Sequence, residues 1–572
     1  MRRKFLFKVH LGPGMLAQGP VGIRRSHLTA NRTALYFLSL ALFLGAAGPD
    51  ALLAMDAQIV ERVEHLRHTG RLEIDAAPIA AIHLIPAFYE ARGFTRAWTR
   101  PERIEELLEL LATAPAEGLD PEDYHFSTLK RLQGSRTISP ADHDILLTDA
   151  LTRYGYHHLF GKVNPQQLDG DWNLSRDMGG MDPAVAIQQA IDSPSLAAFL
   201  GKWVDRGRYY ERMKQVLAEY HGYQKNGGWP AVSAGETLKP GSEGARVVEL
   251  RRRLAATGLL DPAIQDGVRF DENLEQAVKA FQVQHDLDDD AVVGPQTLTE
   301  LNVTVEQRLD QIRVNLERGR WVLGGMTGVE NFVLVNIAGF KAMLVRNGEI
   351  VWTTRAQVGK LYRKSPVFTA PMKYLVFNPT WTVPPGLLKK DILPQVRKNP
   401  GYLADHNMHV IDSGGKEIDP ATVDWQDFRY SIRQAPGPHN ALGLVKFIFP
   451  NPHFVFLHDT PHREYFDRDV RTFSSGCIRI ENPMEFARLL LEDQEGWHAE
   501  KIQATVEAEE TKTVSLSEPL PVLLLYWTLA VEEEGPARFL QDVYDRDQSV
   551  LDALNAPFSV SAPSGLPSWA ED

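Results

Sequence analysis

The sequence predicts a multidomain α+β chain: a helical first part, a compact three-helix unit, and a mostly-β domain interrupted by one long insertion. Three observations predict it. Helical apolar spacing runs through residues 58–225, a dense helical unit bounded by Gly and Pro fills residues 238–302, and alternating apolar residues begin at Asn331. The 572 residues are enough for several domains at roughly 150 residues each. With 44% hydrophobic and 24% charged residues, the composition is that of an ordinary globular protein and excludes a fibre or a disordered tail protein.

Residues 1–32 carry seven Lys/Arg and no acid, and Thr33 to Pro49 are uncharged. A basic segment, a short apolar core and then small residues form the pattern of an export signal over residues 1–54, read either as a cleaved signal peptide or as an inner-membrane anchor. Met15 is an alternative start. The net charge of −13 becomes more negative without these basic residues. A nucleic-acid binder usually shows a basic face, so nucleic acid is a poor partner for this chain. The single cysteine, Cys477, cannot close an intramolecular disulfide or build a Cys-rich zinc site. An exported chain that keeps one unpaired thiol points to that thiol as a nucleophile.

The helical region shows its period in Ile59, Val63 and Leu66, and again in Ile104, Leu107, Leu108 and Leu111. Lys225 to Thr237 is a Gly/Pro-rich linker. In the unit at 238–302 a first helix carries Val247, Leu250 and Leu254 on one face and stops near Gly258. Asp271 caps a second helix with Leu274, Val278 and Phe281 inward, and Gly294-Pro295 opens a third. Residues 303–328 read as a linker helix. From Asn331 to 550 the chain is strand-rich, with a hairpin turn at Asn347-Gly348 and further strands at Tyr374–Phe377, Leu444–Phe449 and Phe454–His458. Residues 378–434 form an inserted, Pro/Gly-rich and helical capping segment, the length of a functional lid. Pro519 to Val531 reads as a buried strand, and residues 551–572 as a disordered tail.

The chemistry concentrates between His458 and Cys477. His458 ends a predicted strand. After fifteen intervening residues, Ser474-Ser475-Gly476-Cys477 makes a tight turn whose backbone N–H groups suit an oxyanion, with a helix predicted from Asn482-Pro483. Arg479 supplies a positive charge able to lower the thiol pKa or to bind a carboxylate. By spacing alone, the pair reads equally well as a buried inert cysteine and a strand-end histidine.

A resemblance separates these readings. His458, then Ser474, Gly476 and Cys477, is similar to the signature of YkuD-type L,D-transpeptidases, which has a histidine, 14 to 17 residues, then [Ser/Thr]-His-Gly-Cys. Ser475 stands where most members have a second histidine, a departure that leaves the first histidine untouched. The fragments NLERGRW, NPTWTVPPG, PGPHNALGLVKFIFPN and LYWT resemble the large Gram-negative branch with an N-terminal scaffold domain. The pattern across 238–302 resembles the peptidoglycan-binding module of cell-wall enzymes.

The resemblance implies a helical scaffold domain at 58–225, a peptidoglycan-binding domain at 238–302 and a mostly-β L,D-transpeptidase catalytic domain at 331–550. It implies Cys477 as nucleophile, His458 as general base and then acid, and Gly476, Ser475, Ser474 and Arg479 around the oxyanion and substrate. The reaction implied is 3→3 cross-linking of peptidoglycan stem peptides in the periplasm, with a tetrapeptide stem as donor and a second stem as acceptor. It implies no metal and no cofactor, cell-wall synthesis enzymes as candidate partners, and carbapenems as acylating inhibitors. Trp381, Trp425 and Asn440 are the candidate substrate groove. His453 and His462 are rim residues, and Asp288-Asp289-Asp290 is a solvated turn rather than a calcium loop. The competing functions are a carboxypeptidase or endopeptidase using the same thioester, and a non-catalytic wall-binding scaffold.

Overall fold

The computed structural model describes residues 55–558 apart from 136, 171, 175–180, 204–205, 327 and 533–534. Residues 1–54, expected to direct export, and the end of the chain from 559 lie outside the described residues. Among the described residues, no helix is long and apolar enough to cross a membrane.

Helices dominate up to Lys225, around a core that includes Ile59, Phe88, Leu107, Leu111, Ile145 and Leu151. The longest, α1 (Pro140–Phe160), is capped by Ser139, whose Oγ accepts from Asp142 N. A two-stranded ribbon, Glu73–Ile74 with Ala77–Pro78, is the one sheet there among the described residues. A second long helix, α2 (Gly207–Lys225), leads to the linker.

The next unit follows its sequence pattern. Val247, Leu250 and Leu254 of α3 (Ala245–Ala255) are buried against Leu274, Val278 and Phe281 of α4 (Glu272–Gln284). Asp271 Oδ1 accepts from Leu274 N, and Pro295 opens α5 (Pro295–Leu301). Asp290 of the acidic run accepts from Val292 N and from Gln282 Nε2, shaping its own loop. The helix α6 (Val305–Val322) starts with a Thr304–Gln307 capping box and packs Leu309, Ile312 and Leu316 beside α2.

The β-rich domain is one sheet that closes on itself. Its strands are β1 (Phe332–Asn336), β2 (Lys341–Arg346), β3 (Glu349–Gly359) and β4 (Phe368–Phe377), then, after the insertion, β9 (Val445–Ile448), β10 (Leu457–His458), β11 (Thr472–Ser474), β12 (Ile478–Ile480) and β13 (Lys512–Leu525). The order is β11-β3-β12-β10-β9-β4-β13-β1-β2, and β2 pairs back onto β3. Asn347 and Gly348 both take positive φ (53° and 81°), the requirement of the tight β2–β3 hairpin. Val333, Ala342, Ala356, Leu375, Phe447, Leu457, Ile478 and Val522 fill the interior, with Phe486 of α7 (Pro483–Leu491) over it.

Three expectations change. The capping segment is not only Pro/Gly-rich and helical. It holds its own four-stranded sheet, β5 (Trp381–Thr382), β6 (Met408–Ile411), β7 (Glu417–Ile418) and β8 (Ser431–Gln434), in the order β5-β8-β6-β7. Strands of two to four residues are too short to show alternation in the sequence. The strand expected over Phe454–His458 is only Leu457–His458, because Phe454 takes φ +55° and breaks the extended run. The tail expected from 551 is helical at its start. Val550 and Leu554 of α8 (Asp547–Asn555) are buried, in a cluster with Val163 and Val314.

Candidate functional site

Sheet register builds the site. In the parallel β10–β12 pair, His458 lies opposite Arg479 and Leu457 opposite Ile478. In the antiparallel β9–β10 pair, Lys446 lies opposite His458, and β3 places Gln357 opposite Arg479. Directly opposed residues share a face, so Gln357, Arg479, His458 and Lys446 form a row on the side away from the core, while Phe447, Leu457, Ile478 and Ile480 fill the interior. Cys477 is two residues before Arg479 and returns to the same face. Ile478 N donates to Phe456 O, which sets Cys477 beside Phe456, diagonal to His458. Diagonal neighbours on adjacent strands sit roughly 7 Å apart at Cβ, which puts the thiol and the imidazole in one neighbourhood of the sheet.

The turn before Cys477 is locked by its own side chains. Ser474 Oγ donates to Cys477 O and accepts from Gly476 N at 3.1 Å. Gly476 has φ +115°, a conformation closed to residues with a Cβ. The Gly476 N–H, expected to face an oxyanion, is thereby committed to Ser474. Behind the turn, Ser365 Oγ donates to Gly476 O at 2.8 Å and accepts from Gly359 N at 3.0 Å. Tyr544 Oη accepts from Ser365 N and donates to Gly359 O, so a residue far along the chain braces the cysteine turn.

His458 is 3% exposed, and its Nδ1 donates to the carbonyl of Asp459. A carbonyl only accepts, so in the neutral ring Nδ1 carries the hydrogen, and a second backbone carbonyl, that of Leu442, also faces the ring. Burial first, then the neighbouring Arg479 and Lys446 charges, push the imidazole pKa down to about 3. Burial raises the Cys477 thiol above its ordinary range, against smaller lowering by the Phe456 backbone, Lys446 and Arg479. At neutral pH the resting pair is a thiol and a neutral base. The thiol lies 3.8 Å from the carbonyl oxygen of Phe454 as its acceptor.

Asp459 is 2% exposed and accepts from Leu444 N, Thr460 N and Arg463. A Cβ on Gly443 would come within 2.3 Å of it, so only glycine fits there. Arg479 NH1 donates to Gln357 Oε1 at 3.2 Å, and its buried Nε has no hydrogen-bond partner. Ser475 is exposed and its Oγ accepts from Arg363, which also pairs with Asp391 of the capping segment at 3.0 Å. The residue at the usual second-histidine position therefore ties the turn to the cap. Among the described residues, no group of three His, Cys, Asp or Glu could hold a metal ion.

The groove residues fall elsewhere. Trp381 and Trp425 pack against the capping segment's own core, Trp425 stacked on Phe428 at 5.3 Å between ring centres. Asn440 is buried, with Nδ2 donating to Ala435 O and Oδ1 accepting from Leu442 N, so its amide is consumed in shaping the 435–443 loop. His453 packs on Phe368 at 4.8 Å, and exposed His462 faces Glu464. Sequence reasoning passed over Lys446, Gln357, Asp459 and Arg363. Lys446 did carry a signal, as the one charged residue inside the apolar run Leu444–Phe449.

With this geometry in place, the matches to known families add identity. Residues 330–506 match an L,D-transpeptidase catalytic domain, residues 83–217 a scaffold domain, and residues 243–301 a peptidoglycan binding domain. A Haemophilus influenzae protein whose name assigns it to the L,D-transpeptidases is 34% identical over 224 residues, 38% of this chain. The match spans 45% of that relative's length. Among solved structures, an L,D-transpeptidase from Xylanimonas cellulosilytica is 17% identical, with 51% of this chain and 99% of that one covered and a TM-score of 0.16. One from Stackebrandtia nassauensis is 11% identical, covering 52% and 96%, with a TM-score of 0.19. Overlaps that slight carry no geometry from one protein to the other.

Proposed function

We propose that this chain, which belongs by its domain set to the YkuD-type L,D-transpeptidases, joins peptidoglycan stem peptides by 3→3 cross-links through an acyl-thioester on Cys477. The observation that carries the reading is the shared sheet face: His458, Arg479 and Lys446 lie on it in register, with Cys477 set beside Phe456 on the neighbouring strand.

In this reading the Cys477 thiol attacks the carbonyl of the third residue of a tetrapeptide stem while His458 Nε2 takes its proton. The tetrahedral oxygen is held by the backbone N–H groups left by the locked turn, those of Ser475 and Cys477. The proton then passes from His458 to the departing D-alanine amine, leaving the thioester. The side-chain amine of a second stem attacks the thioester, His458 accepts its proton, and the sulfur leaves as the thiol. Arg479 and Lys446 receive anionic groups of the stems. The chemistry needs no metal or cofactor. The same thioester resolved by water makes a carboxypeptidase. The export pattern at the N-terminus puts the reaction in the periplasm, and the peptidoglycan-binding domain keeps the enzyme on the polymer.

Incubation with tetrapeptide muropeptides, with the products resolved by mass, tests this directly. Cross-linked dimers are expected. Trimmed monomers would mean a hydrolase, and no change a binding scaffold. Cys477→Ala should abolish the reaction and the carbapenem adduct on the intact protein while leaving the fold unchanged. A surviving adduct would put the reactive group elsewhere.

A further inference from the structure

We propose that Phe454 forms an apolar subsite beside the thiol, an aromatic wall that packs against the hydrocarbon part of the incoming acyl donor. This deepens the reading above and rests on its placing the acyl transfer at Cys477. An exposed phenylalanine is ordinary by itself. Phe454 is 78% exposed, the most exposed large apolar side chain among the described residues, and it has φ +55°, a region that bulky residues avoid. Its own carbonyl is the acceptor that meets Cys477 Sγ. The residue therefore lies directly beside the reacting sulfur.

The strain is imposed by the loop. Asn451 Oδ1 accepts from His453 N at 3.0 Å and Val455 N at 3.3 Å, while its Nδ2 donates to Phe449 O and Val455 O at 2.7 Å. The His453 ring is seated on Phe368. The segment is pinned on both sides of Phe454, and the ring is turned outward without gaining burial. Glycine or asparagine would hold this backbone with less strain. Strain kept without a packing return is strain with a functional use. The other side chains around the thiol are polar or already covered: Arg479, His458 and Lys446 are polar, and Lys446 Nζ lies 4.2 Å over the Phe456 ring. Phe454 offers an exposed apolar surface beside these groups, and it suits uncharged methyl and methylene groups while the cations take the charged ones.

The test compares the parent with Phe454→Asn, which tolerates the left-handed backbone and removes the ring, and with Phe454→Tyr, which keeps the ring. N-phenylmaleimide and iodoacetamide both alkylate Cys477, and only the first carries an apolar arm. The Asn variant should lose about tenfold in the phenylmaleimide rate, the scale of a lost apolar contact, with its iodoacetamide rate unchanged. The Tyr variant should behave as the parent. The melting temperature of the Asn variant should match or exceed the parent's, because strain is relieved and nothing is unburied. With tetrapeptide stems, KM should rise about tenfold with kcat retained. An unchanged reagent ratio, equal losses to both reagents, or a lowered melting temperature would each overturn the subsite. Should the parent fail to join stems while the reagent ratio still depends on residue 454, the subsite stands and the transpeptidase reading falls. A flat ratio with normal cross-linking gives the reverse.

Discussion

At the seam between the helical region and α6, Arg320 is buried with Glu317 and Glu117. Its Nε donates to Glu317 at 3.0 Å, its NH1 donates to Tyr210 Oη and Glu117 O at 2.8 Å, and Lys214 pairs with Glu117 at 2.7 Å. On the sheet face, Arg479 is half-buried and meets neutral partners, Gln357 Oε1 at 3.2 Å with Cys477 and Tyr465 nearby. Lys446, also half-buried, sits over the Phe456 ring with Cys477 nearby, and burial lowers the pKa of both cations. A buried charge without an opposite partner is costly, so a stable chain retains one only where something compensates. At the seam each cation faces a carboxylate, Arg320 with Glu317 and Lys214 with Glu117, whereas among the described residues no ion pair reaches Arg479 or Lys446.

The comparison can be broken in order of expected effect. Replacing His458 by Ala should cost roughly 10²–10⁴-fold in acylation by a tetrapeptide donor without lowering the melting temperature. The same change at His453 or His462 should cost about tenfold at most, and a comparable loss at His462 would reassign the base. At the seam, Arg320→Met should cost about 3–5 kcal/mol in denaturant unfolding, because it strands Glu317 among buried groups. A loss below ~1 kcal/mol would mean that the seam is no more satisfied than the site. Arg479→Met removes an unpaired half-buried cation, so stability should hold or rise by about 1 kcal/mol. Its KM for an anionic stem should rise roughly 10–100-fold, as one charge-assisted hydrogen bond is lost.

The smallest effect is in pH dependence. His458 titrates at about 3, below its ordinary 6.5, so its imidazole is neutral across pH 5–8 and competent as a base there. Donor acylation should show no break near pH 6.5. The thiol is raised above 9, so the iodoacetamide rate should keep climbing past pH 9. A plateau near pH 7 would mean a preformed thiolate–imidazolium pair.

Cys477 and His458 were legible because a signature ties them together in the sequence. The helices of 238–302 were legible because period, caps and stops agree along one short stretch. Lys446, Gln357 and Asp459 were not, because their roles come from register between strands far apart in the chain, and register is a property of the folded sheet. Whether Trp381 and Trp425 line a groove was not legible for a related reason: a tryptophan in an inserted segment reads alike whether it lines a groove or fills the segment's own core. The helix at 547–555 was missed because its apolar positions are few, and its partners Val163 and Val314 are distant in sequence.

The strand β13 lies between β4 and β1 in the closed sheet, and Tyr544, further on, holds Ser365 against the cysteine turn. Both come after residue 506, where the catalytic-domain match stops. A chain emerging from its N-terminus presents His458 and Cys477 while the sheet is still split and the turn unbraced. Domains fold in order of emergence, so the scaffold and wall-binding units are in place first. The sheet closes and the cysteine turn gains its brace only with the last tenth of the chain, so a ribosome or translocon still holding that segment holds a domain with an open sheet.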